Sequence, residues 1–157
     1  MAERMIGFIG AGLMAEALAD GMLESGVVSA DNMCAADPDP ERRELFQDKL
    51  GDRVSDDNCR VVRQADVLVL AVKPQVMPEV ADEISGLLQE RHLVVSIAPG
   101  VTLETLNEKL GTDRLIRVMP NTPSLVGEGA AAFAAGQGTI EEDLQLVESI
   151  LGSVGRC

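Results

Sequence analysis

Met5-Ile6-Gly7-Phe8-Ile9-Gly10-Ala11-Gly12-Leu13-Met14-Ala15 is a short apolar run that breaks on glycine and resumes with a different period. The run reads as a buried strand, and Leu13, Ala17, Leu18, Met22 and Leu23 follow it at roughly helical spacing. The turn between them, Gly10 to Ala15, matches the G-x-G-x-x-G/A fingerprint of dinucleotide-binding folds. Gly10 permits the tight turn, Gly12 lets the backbone approach a pyrophosphate, and Ala15 keeps helix and strand close. The free N–H groups and positive dipole end of the helix then point at the phosphates. An acid, Asp37, follows a second apolar segment at about the 20-residue spacing expected for a ribose contact.

Outward from this unit, apolar strands alternate with amphipathic segments. Strands are expected near residues 5–9, 32–36, 67–72, 93–97, 115–119 and 130–134, with a short one near Val54. Val67-Leu68-Val69-Leu70-Ala71-Val72 is a continuous apolar run, as a parallel strand covered on both faces should be, and Leu93-Val94-Val95-Ser96-Ile97 resembles it. Helix-like spacing covers residues 78–88, 102–110 and 141–151, and Thr102 with Glu104 and Thr105 suggests a capped start. The expected fold class is α/β, a Rossmann-type doubly wound, mostly parallel sheet with helices on both faces. In such sheets ligands bind beyond the carboxyl ends of the strands, where strand order reverses. The loops placed there are 10–15, 37–40, 73–75, 98–100 and 120–123, each rich in Gly, Pro or polar residues.

The last of these loops is stiff. Prolines at 120 and 123 bracket Asn121-Thr122, restricting themselves and the residues before them, Met119 and Thr122. Asn121 is thereby preorganised for ligand contact.

Length places the whole chain, 1–157, in one dinucleotide-binding domain. No apolar run is long enough for a signal peptide core or a membrane span, so the expected compartment is the cytoplasm. A net charge of −13 opposes nucleic acid and anionic membranes as partners. The absence of Trp and Tyr removes stacking platforms for single strands. Cys34, Cys59 and Cys157 lack C-x-x-C spacing and read as reduced packing residues; no metal site is expected. The methionines read as packing residues. His92 reads as a surface turn residue at the edge opposite the loops, and Arg42 and Arg43 as a solvated helix face.

Four ordered blocks carry a family resemblance: the fingerprint, residues 65–75, residues 96–102 and residues 117–129. Together they resemble pyrroline-5-carboxylate reductase over nearly the whole chain. That family continues into an all-helical domain that dimerises and completes the substrate pocket, which this chain lacks. The resemblance implies reduction of 1-pyrroline-5-carboxylate to L-proline, the last step of proline biosynthesis, by hydride transfer from NAD or NADP in reduced form. It also implies a homodimer or higher homo-oligomer for the full-length form, and a monomer or weak dimer with little activity for this chain.

Carried over, the pyrophosphate contacts fall on Ile9, Gly10, Ala11, Gly12, Leu13 and Met14, with Asp37 and Asn58 at the adenosine ribose. Ala71, Val72, Lys73 and Pro74, with Ile97, Ala98 and Pro99, border the rest of the dinucleotide. Met119, Asn121 and Thr122 lie near nicotinamide and substrate. Pro99 stands where the family more often has alanine, and it removes one backbone donor. No catalytic acid or base is named, because a protonated C=N carbon already accepts hydride once held in place. Asp37 favours NAD, since a carboxylate accepts from a ribose 2′-OH and repels a 2′-phosphate. A related hydroxy-acid dehydrogenase domain and a non-catalytic nucleotide-sensing or interaction module remain as alternatives.

Overall fold

The computed structural model describes residues 4–120, 129–153 and 155–156. The opening stretch forms β1, Ile6–Ile9, followed by α1, Leu13–Ser25. Then come β2 (Met33–Ala36), α2 (Pro40–Leu50), β3 (Val54–Ser55), α3 (Asn58–Gln64) and β4 (Val67–Leu70). The second half runs α4 (Met77–Ile84), β5 (Leu93–Ser96), α5 (Leu103–Leu110), β6 (Leu115–Pro120), β7 (Gly129–Ala135), α6 (Glu141–Gly152) and β8 (Gly155–Arg156).

The strands lie in the order β3-β2-β1-β4-β5-β6-β7-β8, and among the described residues only the β6–β7 pair is antiparallel. This is the doubly wound arrangement expected from the alternation of apolar strands and amphipathic segments. Side chains leave successive strand positions on opposite faces. Ile6, Phe8, Val67 and Val69 therefore enter one core, beneath α1, α2 and α6. Ile9, Leu68 and Leu70 enter the other, beneath α3, α4 and α5. The first core contains an edge-to-face pair, Phe8 against Phe46 of α2 with centroids 6.1 Å apart. Such a pair adds about 0.5–1.5 kcal/mol beyond burial alone.

The helix starts have local causes. Asp39 accepts from Glu41 N (2.9 Å) ahead of α2, with Pro40 in the first turn, and Asp57 accepts from Cys59 N (2.9 Å) ahead of α3. Thr102 accepts from Thr105 N at 3.1 Å, so the expected capped start of α5 is present. The helix expected over 78–88 is shorter: α4 stops at Ile84 and a 3₁₀ turn spans Ser85–Leu87. No helix among the described residues is long and apolar enough to cross a membrane.

Ion pairs gather at the edge where the parallel strands begin. Asp143, fully buried at the start of α6, accepts from Arg114 Nε (2.9 Å) and Nη2 (2.8 Å) and from Arg4 Nη1 (3.2 Å). Arg91 pairs with Asp66 at 2.9 Å. Burial pushes the Asp143 carboxyl up, but the bonds from Arg114, the Ile140 amide and Arg4 prevail and hold it below the ordinary carboxylate range.

His92 lies on the same edge but is not a surface residue, as its sequence position suggested; it is 2% exposed. The apolar strand that begins at the next residue draws the ring inward. Gln89 N donates to Nδ1 (2.9 Å), so Nε2 carries the proton and donates to the Val62 carbonyl (2.9 Å). Burial lowers its pKa, and a second proton would face an N–H that already points at Nδ1.

Asp143→Ala leaves two guanidinium groups without their buried partner and is expected to cost about 2–4 kcal/mol in denaturant melts. The folded-state pKa of both Asp143 and His92 lies below its ordinary value. Each group therefore stabilises the fold above its unfolded pKa and loses that contribution as pH falls through the folded value. Unfolding midpoints should fall first below the ordinary histidine range and again below the carboxylate range. His92→Gln should flatten only the first step.

Candidate functional site

β1, β2, β4, β5 and β6 run parallel, so their carboxyl ends share one edge. β1 is followed in sequence by a strand on one side of it and paired with β4 on the other, so strand order reverses between β1 and β4. The loops after these two strands face each other there.

Gly10 makes that closeness possible. Its φ is +100°, and a Cβ on it would lie 2.7 Å from the Ala71 carbonyl oxygen and 3.1 Å from Val72 N. Backbone bonds fix the turn on both sides: Gly10 N donates to Ala36 O (2.9 Å) and Ala71 N to Ile9 O (2.8 Å). Gly12, by contrast, is open: among the described residues beyond its own chain neighbours, no atom lies within 4 Å of where a Cβ would stand. It is the N-cap of α1 and offers no side-chain cap. Among the described residues no side chain caps the start of α1, so the donor set of its first amides suits a dinucleotide pyrophosphate.

At the adenosine end, Asp37 follows β2 with one carboxylate oxygen accepting from Ala11 N (2.7 Å) and the other from Asp39 N (2.8 Å). The acid expected to meet a ribose thus already braces the glycine loop, with lone pairs left on both oxygens. Asn58 is the first residue of α3, half-buried beside the Asp57 cap. Arg42 is not on a solvated helix face. Its Nε donates to Ala11 O (2.6 Å) and its Nη2 to Glu16 of α1 (3.1 Å). Sequence reasoning missed this because the contact joins residues 31 and 26 positions apart. Arg43 donates from Nη1 to the Asp37 and Pro38 carbonyls, both at 2.9 Å.

Across the crevice, Ala71 and Val72 are half-buried and Lys73 is exposed, while Pro74 opens a 3₁₀ turn, Pro74–Val76. Ile97 and Ala98 are buried and Pro99 is exposed. The Ala98 amide donates to Ser96 Oγ (3.3 Å), so the protein already uses that donor. Met119, next to last in β6, shows 53% exposure, and Leu13 shows 65% at the start of α1. Asn121 and Thr122 lie outside the described residues.

The cysteines behave as packing residues where they are described. Burial pushes the Cys34 thiol up to about 11. Asp57, Cys59 and Glu83 bring three possible ligand atoms within 4.8 Å of one another. Asp57 is committed to capping α3, and desolvation, with Glu83 and Asp57 nearby, raises the Cys59 thiol away from the thiolate a metal needs.

The same architecture recurs in proteins of known activity. Pyrroline-5-carboxylate reductase from Pisum sativum is 42% identical over 151 residues, matching 96% of this chain and 55% of its own length. The structure of the Coxiella burnetii pyrroline-5-carboxylate reductase superposes with a TM-score of 0.93 at 34% identity, covering 99% of this chain and 58% of that one. That of the Plasmodium falciparum pyrroline carboxylate reductase, with NADP bound, superposes with a TM-score of 0.83 at 30% identity, covering 99% and 57%. The chain spans little more than half the length of these relatives. Residues 5–100 match the family described as NADP oxidoreductase, coenzyme F420-dependent, and the chain belongs to that family.

Proposed function

We propose that the chain is the nicotinamide-dinucleotide-binding domain of a pyrroline-5-carboxylate reductase, and that the full-length protein reduces 1-pyrroline-5-carboxylate to L-proline. The observation that carries this reading is the uncapped start of α1 opposite the close-packed Gly10–Ala71 crossing, in a chain 42% identical to a named reductase. A bound reduced nicotinamide would supply the hydride. The residues of this chain have simpler tasks: Gly12 and the first amides of α1 hold the pyrophosphate, and Asp37 and Asn58 receive the ribose. Ala71, Val72, Lys73 and Pro74, with Ile97, Ala98 and Pro99, line the path to the nicotinamide. Leu13 and Met119 offer apolar surface that would exclude water around the reacting carbon. Met119, Asn121 and Thr122 stand closest to the imino acid in this reading.

Asp37 supports NAD over NADP, because no cation lies within ion-pair distance of its carboxylate among the described residues. The partner is a small imino acid and no nucleic acid or membrane, and the compartment is the cytoplasm. The remaining length of the relatives would supply the dimer contacts and the rest of the substrate pocket. The 157-residue chain alone is then expected to be a monomer or weak dimer with feeble turnover.

The direct test is substrate-dependent oxidation of NADH and NADPH by this chain and by a version extended through any downstream coding sequence. Activity of the extended protein alone supports the reading. Nucleotide binding without turnover in either form overturns the reductase assignment in favour of a sensing module. Within the domain, Gly12→Val should weaken NADH binding by at least about tenfold while costing no more than about 1 kcal/mol of stability. Gly10→Ala should do the reverse first, losing about 1–3 kcal/mol because of its φ and the Ala71 carbonyl. Fluorescence titration and chemical melts on the two variants separate these effects.

A further inference from the structure

The turn after β2 and the start of α2 carry an acid, Asp37, and two arginines, Arg42 and Arg43, a combination that on charge alone could accept a ribose 2′-OH or a 2′-phosphate. The observed contacts separate these roles. Arg42 reaches across to the glycine loop, where its Nε donates to Ala11 O (2.6 Å) and its Nη2 to Glu16 (3.1 Å). Both side chains of this ion pair are 23% exposed, so solvent screens the pair less than an open surface pair. Asp37 holds the amide of the same residue, Ala11, at 2.7 Å, so the Arg42 guanidinium lies beside the position where the ribose would meet the carboxylate.

An acid in the first turn of α1 would complement the helix dipole wherever it pointed. A contact with an arginine 26 residues away is not needed for that purpose. Its effect is electrostatic and geometric: the Glu16 carboxylate offsets the charge of Arg42, and the Arg42 fork is turned onto the loop.

Resting on the reading of this crevice as a dinucleotide site, we infer that Glu16 is a specificity-determining residue. By holding Arg42, it keeps the adenosine end selective for the 2′-hydroxyl of NADH. Arg43 has a lesser part, because its Nη1 is bonded to the Asp37 and Pro38 carbonyls.

The test compares Kd values for NADH and NADPH, measured by fluorescence titration on the chain and on Glu16→Gln, which keeps shape and removes charge. Relief of negative charge near the pyrophosphate acts on both dinucleotides alike, so the ratio of the two Kd values is the readout. The ratio is expected to move toward NADPH by about tenfold. In Glu16→Gln combined with Arg42→Gln it should return to near the starting value. An unchanged ratio in Glu16→Gln, or a gain that survives loss of Arg42, overturns the inference and leaves the dinucleotide site standing. A parent chain that binds neither dinucleotide overturns the site and the inference together.

Discussion

Gly10 stands where two backbones meet more closely than any side chain allows. The carbonyl of Ala71 occupies the space of its missing Cβ, and the residue takes a φ that only glycine adopts without strain. Because the chain can turn there, β1 pairs with β2 and β4 at once, and α1 leaves the sheet with its N-terminus over the crossing. The order of the sheet, the open approach at Gly12 and the bracing of Ala11 by Asp37 all follow from that close approach.

Much of this was legible in the residues. The fingerprint works because each of its small residues, Gly10, Gly12 and Ala15, is needed for a physical reason, and the runs at 67–70 and 93–96 are apolar, Ser96 excepted, because both faces are covered. Asp37 was legible as an acid at the end of the second strand. Its bond to Ala11 N was not, because pairing between two loops is decided by the packed sheet. Arg42 was misread for the same reason: its reading as a solvated helix residue says nothing of a loop folded close by. His92 was misread because charged Glu90 and Arg91 precede it, and only the carbonyl of Val62 on a neighbouring helix shows why the ring is drawn inside. The early end of α4 reflects a local competition in which Ser85 and Gly86 favour a tighter turn.

The adenosine end shows how few residues settle a chemical preference. Asp37 and Arg42 converge on one residue of the glycine loop, taking the N–H of Ala11 on one side and its carbonyl on the other, while Glu16 of α1 holds Arg42 in place. The loop is thereby held by side chains from a different βα unit, and the preorganisation of the phosphate cradle depends on β2 and α2 as much as on β1 and α1.

The two edges of the sheet have separate duties. The edge where the parallel strands begin holds the buried Asp143 cluster, the Arg91–Asp66 pair and the neutral His92. The opposite edge holds the glycine loop, Asp37 and the exposed Leu13 and Met119. Apart from those at Gly10, whose close approach to Ala71 admits no Cβ, substitutions on the ligand side therefore draw little on the buried ion-pair cluster of the opposite edge. Descendants of such a sequence can exchange one dinucleotide or substrate for another through a succession of folded intermediates, and this separation of duties lets one scaffold diversify without first being rebuilt.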